Sequence, residues 1–235
     1  MFLLRRVLII TAILAVVCSW QFARGAGGAL PREQMNPSIF YRVRTSRPLV
    51  ALTLDDGPKP IYTAEVLHFL QDAGVHATFF VLGHRALENP DLLAATIAAG
   101  NEIGNHTMTH LNLTTVLDRE QNAEITGGAD ALARLGVHPV LFRPPYGQIS
   151  AVGVSDAVAI GERTVLWSVS LDREVRIWGD QAAAEILRRI RPGDIILAHD
   201  THPKTFDALK KLLAGLRGRG FSVVTVSELL ANGSV

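Results

Sequence analysis

From Leu49 to the C-terminus, short runs of Val, Ile, Leu and Phe alternate with amphipathic stretches, and this rhythm limits the fold more than any other feature. A strand that feeds a helix and then another strand leads to parallel pairing, so the pattern predicts an α/β domain. Candidate strands are Leu49–Leu54, Ala77–Leu82, Glu102–Asn105, Val140–Arg143, Thr164–Val169, Asp194–Ala198 and Ser222–Val226. Several are continuous apolar runs, as expected of strands covered on both faces. Between them, Val66, Leu70 and Ala73 share a helical face, as do Ala183, Ile186, Leu187 and Ile190, and then Phe206, Leu209, Leu213 and Leu216. Gly127-Gly128 interrupts the otherwise helical Asp118–Leu135 pattern, at a cost of about 1 kcal/mol per glycine. About seven such strands predict a distorted or incomplete (β/α) barrel in preference to an open doubly wound sheet.

Residues 1–25 do not share the rhythm. Arg5 and Arg6 precede the apolar stretch Val7–Trp20, and Ala23-Arg24-Gly25-Ala26 follows with the small residues of a cleavage site. The expectation is a signal peptide or N-terminal anchor at 1–25, export to a periplasmic or extracellular location, and membrane attachment only through that segment. The uninterrupted apolar run is shorter than the ~20 residues a spanning helix needs, which favours cleavage. Residues 26–48 then form a polar, proline-containing lead, and 49–235 one domain. Cys18 is the only cysteine, so the chain beyond residue 25 cannot form a disulfide within itself. Removing Arg5, Arg6 and Arg24 leaves 20 basic residues facing 22 acidic ones, a balance that argues against a nucleic-acid partner.

Polar residues gather where the predicted strands end. Asp55-Asp56-Gly57-Pro58, His106-Thr107-Met108-Thr109-His110, Arg143, Asp172 and His199 all follow carboxyl ends of strands, the edge on which barrels and parallel sheets build their sites. Two imidazoles and a carboxylate are ligand types that leave a divalent ion one open position, and a spare carboxylate and a third histidine are natural proton carriers. The chain therefore reads as a metal-dependent hydrolase.

Each motif also has a plainer reading. In the Asp55-Asp56 turn the two side chains diverge, so one can bind an ion while the other stays free; alternatively both cap backbone amides. His106 and His110, spaced i,i+4, meet if the segment coils, with Asn105, Thr107 and Thr109 available to orient them; alternatively they are two surface histidines. The prolines of Phe142-Arg143-Pro144-Pro145-Tyr146-Gly147 stiffen a segment that can hold an arginine and a backbone N–H at fixed points. His199 ends a buried strand beside an acid and is a candidate general acid. His68, His76, His84 and His138 have no evident partners and read as structural, and His202 is undecided.

Thr-Leu-Asp-Asp-Gly-Pro, Ala-Thr-Phe-Phe-Val-Leu-Gly, Gly-Asn-His-Thr-Met-Thr-His, Phe-Arg-Pro-Pro-Tyr-Gly, Leu-Trp-Ser-Val and Leu-Ala-His-Asp occur in that order between about Val50 and Leu230. In these motifs the chain resembles the polysaccharide deacetylases of carbohydrate esterase family four, which act on chitooligosaccharides, chitin, peptidoglycan and acetylxylan. The resemblance implies Asp56, His106 and His110 as metal ligands, most simply for Zn2+, Asp55 as general base and His199 as general acid. It further implies Arg143 as the partner of Asp55, the Tyr146 backbone N–H as an oxyanion donor, and Leu197 and Trp167 as walls for an acetyl methyl. The family usually shows Asp-x-x-Asp-Trp after the fifth strand, whereas this chain reads Ser170-Leu171-Asp172-Arg173-Glu174, with Trp178 later. Asp172 is then the first choice for the acid that orients His199, and Glu174 the second.

The activity expected is removal of N-acetyl groups from a hexosamine-containing oligo- or polysaccharide. The competing readings are hydrolysis of another C–N bond or of an O-acetyl ester on the same fold, and a glycan-binding protein that has lost turnover.

Overall fold

The structure is a computed structural model that describes residues 39–199 and 203–234. The segment 1–25 and His202 lie outside the described residues. Among the described residues no helix is long and apolar enough to cross a membrane.

Among the described residues nine strands form one sheet: β1 (Ile39–Phe40), β2 (Leu49–Gly57), β3 (Thr78–Val81), β4 (Glu102–Asn105), β5 (Leu141–Phe142), β6 (Arg163–Val165), β7 (Val169–Ser170), β8 (Ile195–His199) and β9 (Ser222–Val224). Their order is β1-β6-β5-β4-β3-β2-β8-β7, with β9 also on β2, and every ladder is parallel. The helices are α1 (Tyr62–Ala73), α2 (Gly83–Glu88), α3 (Pro90–Ala98), α4 (Asp118–Arg134), α5 (Ala151–Ala159), α6 (Leu171–Trp178), α7 (Ala182–Arg189), α8 (Pro203–Gly218) and α9 (Val226–Ala231). The architecture is a distorted (β/α) barrel, as the rhythm predicts, with two additional two-residue strands, β1 and β7.

The alternation of side chains along each strand sorts the core into two layers. Val50, Leu52, Leu54, Phe79, Val81, Ile196 and Ala198 face outward and pack with Val66 and Leu70 of α1, Ile186 of α7 and Leu209, Leu213 and Leu216 of α8. Ala51, Phe80, Leu141, Val165 and Ile195 pack in a second cluster with Phe40 and Val43 from the end of the lead segment. Fully burying one such Leu or Ile contributes roughly 1.5–3 kcal/mol, so the outer layer dominates stability. The same alternation has a consequence for chemistry: because Leu54 joins the helix layer, Asp55 projects to the other face, the interior.

Two predicted strands end early. The run Thr164–Val169 divides into β6 and β7, which lie towards opposite ends of the sheet and are joined only by residues 166–168. The Leu166 N–H donates to Phe40 O at 2.7 Å and the Ser168 N–H to Ile195 O at 3.0 Å, so this link bridges the two ends. The Arg143 guanidinium takes the carbonyls of Val165 (3.0 Å) and Leu166 (3.1 Å), acceptors a continuing strand would need. β9 stops at Val224 because Thr225 caps α9, exchanging hydrogen bonds with Glu228. By contrast α4 runs unbroken through Gly127-Gly128. A Cβ on Gly128 would sit 2.3 Å from Asn105 Oδ1, so the glycine permits a close approach that outweighs its low helix propensity.

Candidate metal centre and catalytic groups

Asp56, His106 and His110 each offer one ligand atom, and these atoms lie within 4.8 Å of one another. Asp56 Oδ1 stands 3.4 Å from His106 Nε2 and 3.2 Å from His110 Nε2, yet it is buried without a hydrogen-bond partner. The tautomer of His106 follows from its other nitrogen. Nδ1 is 2.7 Å from the carbonyl oxygen of Arg143, so Nδ1 carries the proton and Nε2 turns its lone pair toward Asp56. A carboxylate oxygen and an imidazole lone pair facing each other at this separation repel unless a proton or a metal ion lies between them. The donor set, one oxygen and two imidazole nitrogens, fits a divalent ion such as Zn2+.

Asp55 is 3 % exposed and divides its two oxygens between two directions. Oδ1 accepts from Arg143 Nη1 at 2.7 Å, and Oδ2 lies 3.9 Å from His106 Nε2, beside the donor set. Arg143 is fully buried and also donates to Thr53 Oγ1 at 2.7 Å, with Phe80 and Trp167 against its guanidinium. Its side chain and its carbonyl therefore act on different members of the site.

His199 is the register partner of Asp55 on the adjacent strand, so β8 brings an imidazole to the edge where β2 brings a carboxylate. Asp172 Oδ2 is 2.8 Å from His199 Nδ1, and Thr205 Oγ1 donates to Asp172 Oδ1 at 2.7 Å. Burial alone would lower the His199 pKa, but the Asp172 hydrogen bond and the charges of Asp55, Asp172 and Asp56 push it up to about 9. Glu174, the second choice for this partner, instead pairs with Arg189 at 2.6 Å.

Tyr146 sits at φ 60° with its ring 4.8 Å from that of His110 and is 62 % exposed, which places it at the rim. Trp167 packs beneath the same loop, where a Cβ on Gly147 would lie 2.9 Å from the indole. Leu197, buried on β8, is two residues before His199 and so shares its face.

The supporting groups were less legible in the sequence. Glu124 of α4 accepts from the Thr109 N–H at 2.8 Å and from Thr109 Oγ1 at 2.7 Å, fixing the loop between the histidines. Asn105 Oδ1 accepts from the Thr107 N–H at 3.0 Å, while its Nδ2 donates to Ile125 O and to Glu162 Oε2, both at 2.9 Å. Burial pushes Glu162 up to about 8 although the Asn105 hydrogen bond opposes it. The Gly127-Gly128 pair was the one local hint that α4 comes so close to this loop. His84, read as structural, has a partner: its Nδ1 donates to Met108 O at 2.8 Å. His68 pairs with Asp72 at 3.1 Å on the exposed side of α1.

Residues 42–165 match the family model described as polysaccharide deacetylase. A peptidoglycan-N-acetylglucosamine deacetylase of Bacillus cereus is 37% identical over 210 residues, covering 86% of this chain and 98% of the relative. A chitooligosaccharide deacetylase of Sinorhizobium fredii is 34% identical over 202 residues, covering 80% of this chain and 94% of the relative. Among solved structures, a carbohydrate esterase family four pseudoenzyme of Bacillus anthracis superposes with a TM-score of 0.77 at 27% identity, covering 88% of this chain and 74% of that one.

Proposed function

This chain belongs to the polysaccharide deacetylase family, and from that membership we propose that it hydrolyses N-acetyl groups on a hexosamine-containing glycan, of the kind its peptidoglycan and chitooligosaccharide deacetylase relatives are named for. The observation that carries the reading is the unpartnered Asp56 Oδ1 facing the Nε2 atoms of His106 and His110, with Asp55 and His199 paired in register on the adjoining strands.

In this reading Asp56, His106 and His110 hold a divalent ion, most simply Zn2+. Such an ion supplies Lewis-acid chemistry, polarising a carbonyl and lowering the pKa of water. Asp55, held by Arg143, accepts a proton through Oδ2 as water attacks the acetyl carbon. The backbone N–H of Tyr146 donates to the developing oxyanion; loss of one such donor typically costs about 3–4 kcal/mol. His199, protonated at neutral pH, delivers its proton to the departing amine as the C–N bond breaks, and acetate is the second product. Asp172 and Thr205 keep the His199 ring turned for that transfer. Leu197 and Trp167 wall the space for the acetyl methyl. Residues 1–25 fit an export signal for a substrate outside the cytoplasm, with 49–235 as the catalytic domain.

The test is acetate release from N-acetylglucosamine oligomers by the full chain. A chelator should stop it, zinc should restore it, and Asp55→Asn should abolish it. Turnover that survives complete metal removal overturns the mechanism. A second reading, sugar binding without turnover, is favoured by the pseudoenzyme among the structural neighbours and by the altered Ser170–Glu174 segment. It predicts saturable binding and no acetate with zinc supplied and Asp55 intact. Formate or O-acetyl products across a substrate panel would instead point to another bond.

A further inference from the structure

The backbone that carries the proposed ligands is strained. Among the described residues the non-glycine positions of left-handed φ are Asp56 (74°), Thr107 (74°), His110 (70°) and Tyr146 (60°), and all four lie at the candidate centre. Each such residue is disfavoured on its own and persists only where its surroundings over-determine it. Part of that restraint comes from Glu124 and Asn105, which act within the histidine loop alone.

Three consecutive residues at the start of α2 reach further. The Gly83 N–H donates to Thr107 O at 2.9 Å. His84 donates to Met108 O twice, from its N–H at 3.2 Å and from Nδ1 at 2.8 Å. Arg85 Nη1 donates to the carbonyl oxygen of Asp56. Thr107 and Met108 lie between the two histidines, whereas Asp56 belongs to the carboxyl end of β2. One helical turn is thus bonded to both segments. The approach is tight, since a Cβ on Gly83 would lie 2.8 Å from Met108 Sδ and 3.1 Å from Gly128 Cα.

We propose that His84 and Arg85 are positioning residues, a clamp that holds the Asp56 end of β2 and the His106–His110 loop at the separation a shared metal ion requires. Neither touches the ion or the substrate; each acts through a carbonyl whose peptide unit is part of, or beside, a left-handed residue. The inference rests on the reading of Asp56, His106 and His110 as ligands. It gives the strain a purpose, because a donor set already in place pays no ordering cost when an ion arrives.

The experiment titrates zinc, against a competing chelator, into metal-stripped full-length protein, and records the Co2+ absorption bands as a report on ligand geometry. Arg85→Ala and His84→Ala should each weaken binding by about 10- to 100-fold and alter the Co2+ bands. Arg85→Lys and His84→Asn keep a donor at similar reach and should recover most of the affinity. Urea unfolding of the metal-free proteins separates positioning from folding. Alanine variants that bind zinc as tightly as the wild-type chain overturn the clamp, as does a loss of affinity fully accounted for by a smaller folded fraction. If Asp56→Ala binds zinc as well as the wild-type chain, the ligand assignment itself fails, a result distinct from failure of the clamp alone.

Discussion

The carbonyl oxygen of Arg143 lies 2.7 Å from Nδ1 of His106, and so the residue whose guanidinium holds Asp55 also sets the tautomer of a neighbouring imidazole through its main chain. Side chain and backbone of one residue thereby serve two different groups, and substitution separates the two roles.

Arg143→Ala leaves the buried Asp55 carboxylate without its cationic partner, and loss of one member of a buried pair costs about 3–5 kcal/mol. Turnover should fall by roughly 10²- to 10⁴-fold as general-base catalysis is lost. Arg143→Lys should not restore it, because an ammonium cannot span Asp55, Thr53, Val165 and Leu166 as the planar fork does. Zinc affinity should change far less, since the carbonyl bonded to His106 remains. Urea unfolding, kcat/KM and zinc titration on the same variants check all three expectations.

Asp172→Asn removes the carboxylate hydrogen-bonded to His199, which together with the charges of Asp55 and Asp56 raises that imidazole to about 9. As the proposed general acid, His199 would be competent while protonated, so activity should decline as pH rises through its pKa. Losing Asp172 lowers that pKa, and the alkaline limb of the kcat/KM profile should move toward the ordinary imidazole value of about 6.5. An unchanged alkaline limb would assign the limb to another group.

Glu162 is 1 % exposed, and burial lifts it from 4.5 to about 8. Below pH 4.5 both folded and unfolded chains hold its proton. Between 4.5 and 8 the unfolded chain releases that proton while the folded one keeps it, so this residue's contribution to stability is lost as pH rises. At ~1.4 kcal/mol per unit of pKa difference the loss is a few kcal/mol. Glu162→Gln keeps an acceptor for Asn105 Nδ2 without an ionisable proton, and should flatten the pH dependence and stabilise the protein above pH 8 relative to wild type. Urea unfolding at pH 4.5, 6.5 and 8.5 tests this; parallel curves for the two proteins would contradict it.

Gly128→Ala would gain helix propensity on α4 but drive its methyl into Asn105 Oδ1 and the Thr107 backbone. The steric cost should win, at about 1–3 kcal/mol. Gly136→Ala is no control for propensity because Gly136 has φ 79°, whereas Gly127→Ala, whose nearest neighbour would be Met108 Cβ at 3.4 Å, should stabilise by up to about 1 kcal/mol. Thermal denaturation of the two alanine variants distinguishes packing from propensity.

The fold was largely written in local pattern. Apolar runs and helical stripes mark which faces are buried, and burial is what period-2 and period-3.6 spacing encode. The same alternation that puts Leu54 in the helix layer obliges Asp55 to face inward, and the motif residues at strand ends follow from the parallel sheet. The division of Thr164–Val169 into β6 and β7 was not legible, because it depends on Arg143 capturing two carbonyls. Spacing alone could not say which acid meets His199: Asp172 and Glu174 share the first turn of α6 but point to nearly opposite faces, and only the packing of α7 and α8 gives Arg189 to Glu174 and Thr205 to Asp172.

The sequence by itself determined a parallel α/β barrel whose strand ends carry three acids, three histidines and an arginine, because those features depend on residue type and local period. Only the tertiary structure decided the pairings that make them a candidate site: Asp56 with His106 and His110, Arg143 with Asp55, Asp172 with His199, and α2 with both Asp56 and the His106–His110 loop. The physical reason is that a hydrogen bond or shared ion is fixed by distances of about 3 Å between residues remote along the chain, and local periodicity carries no record of such distances.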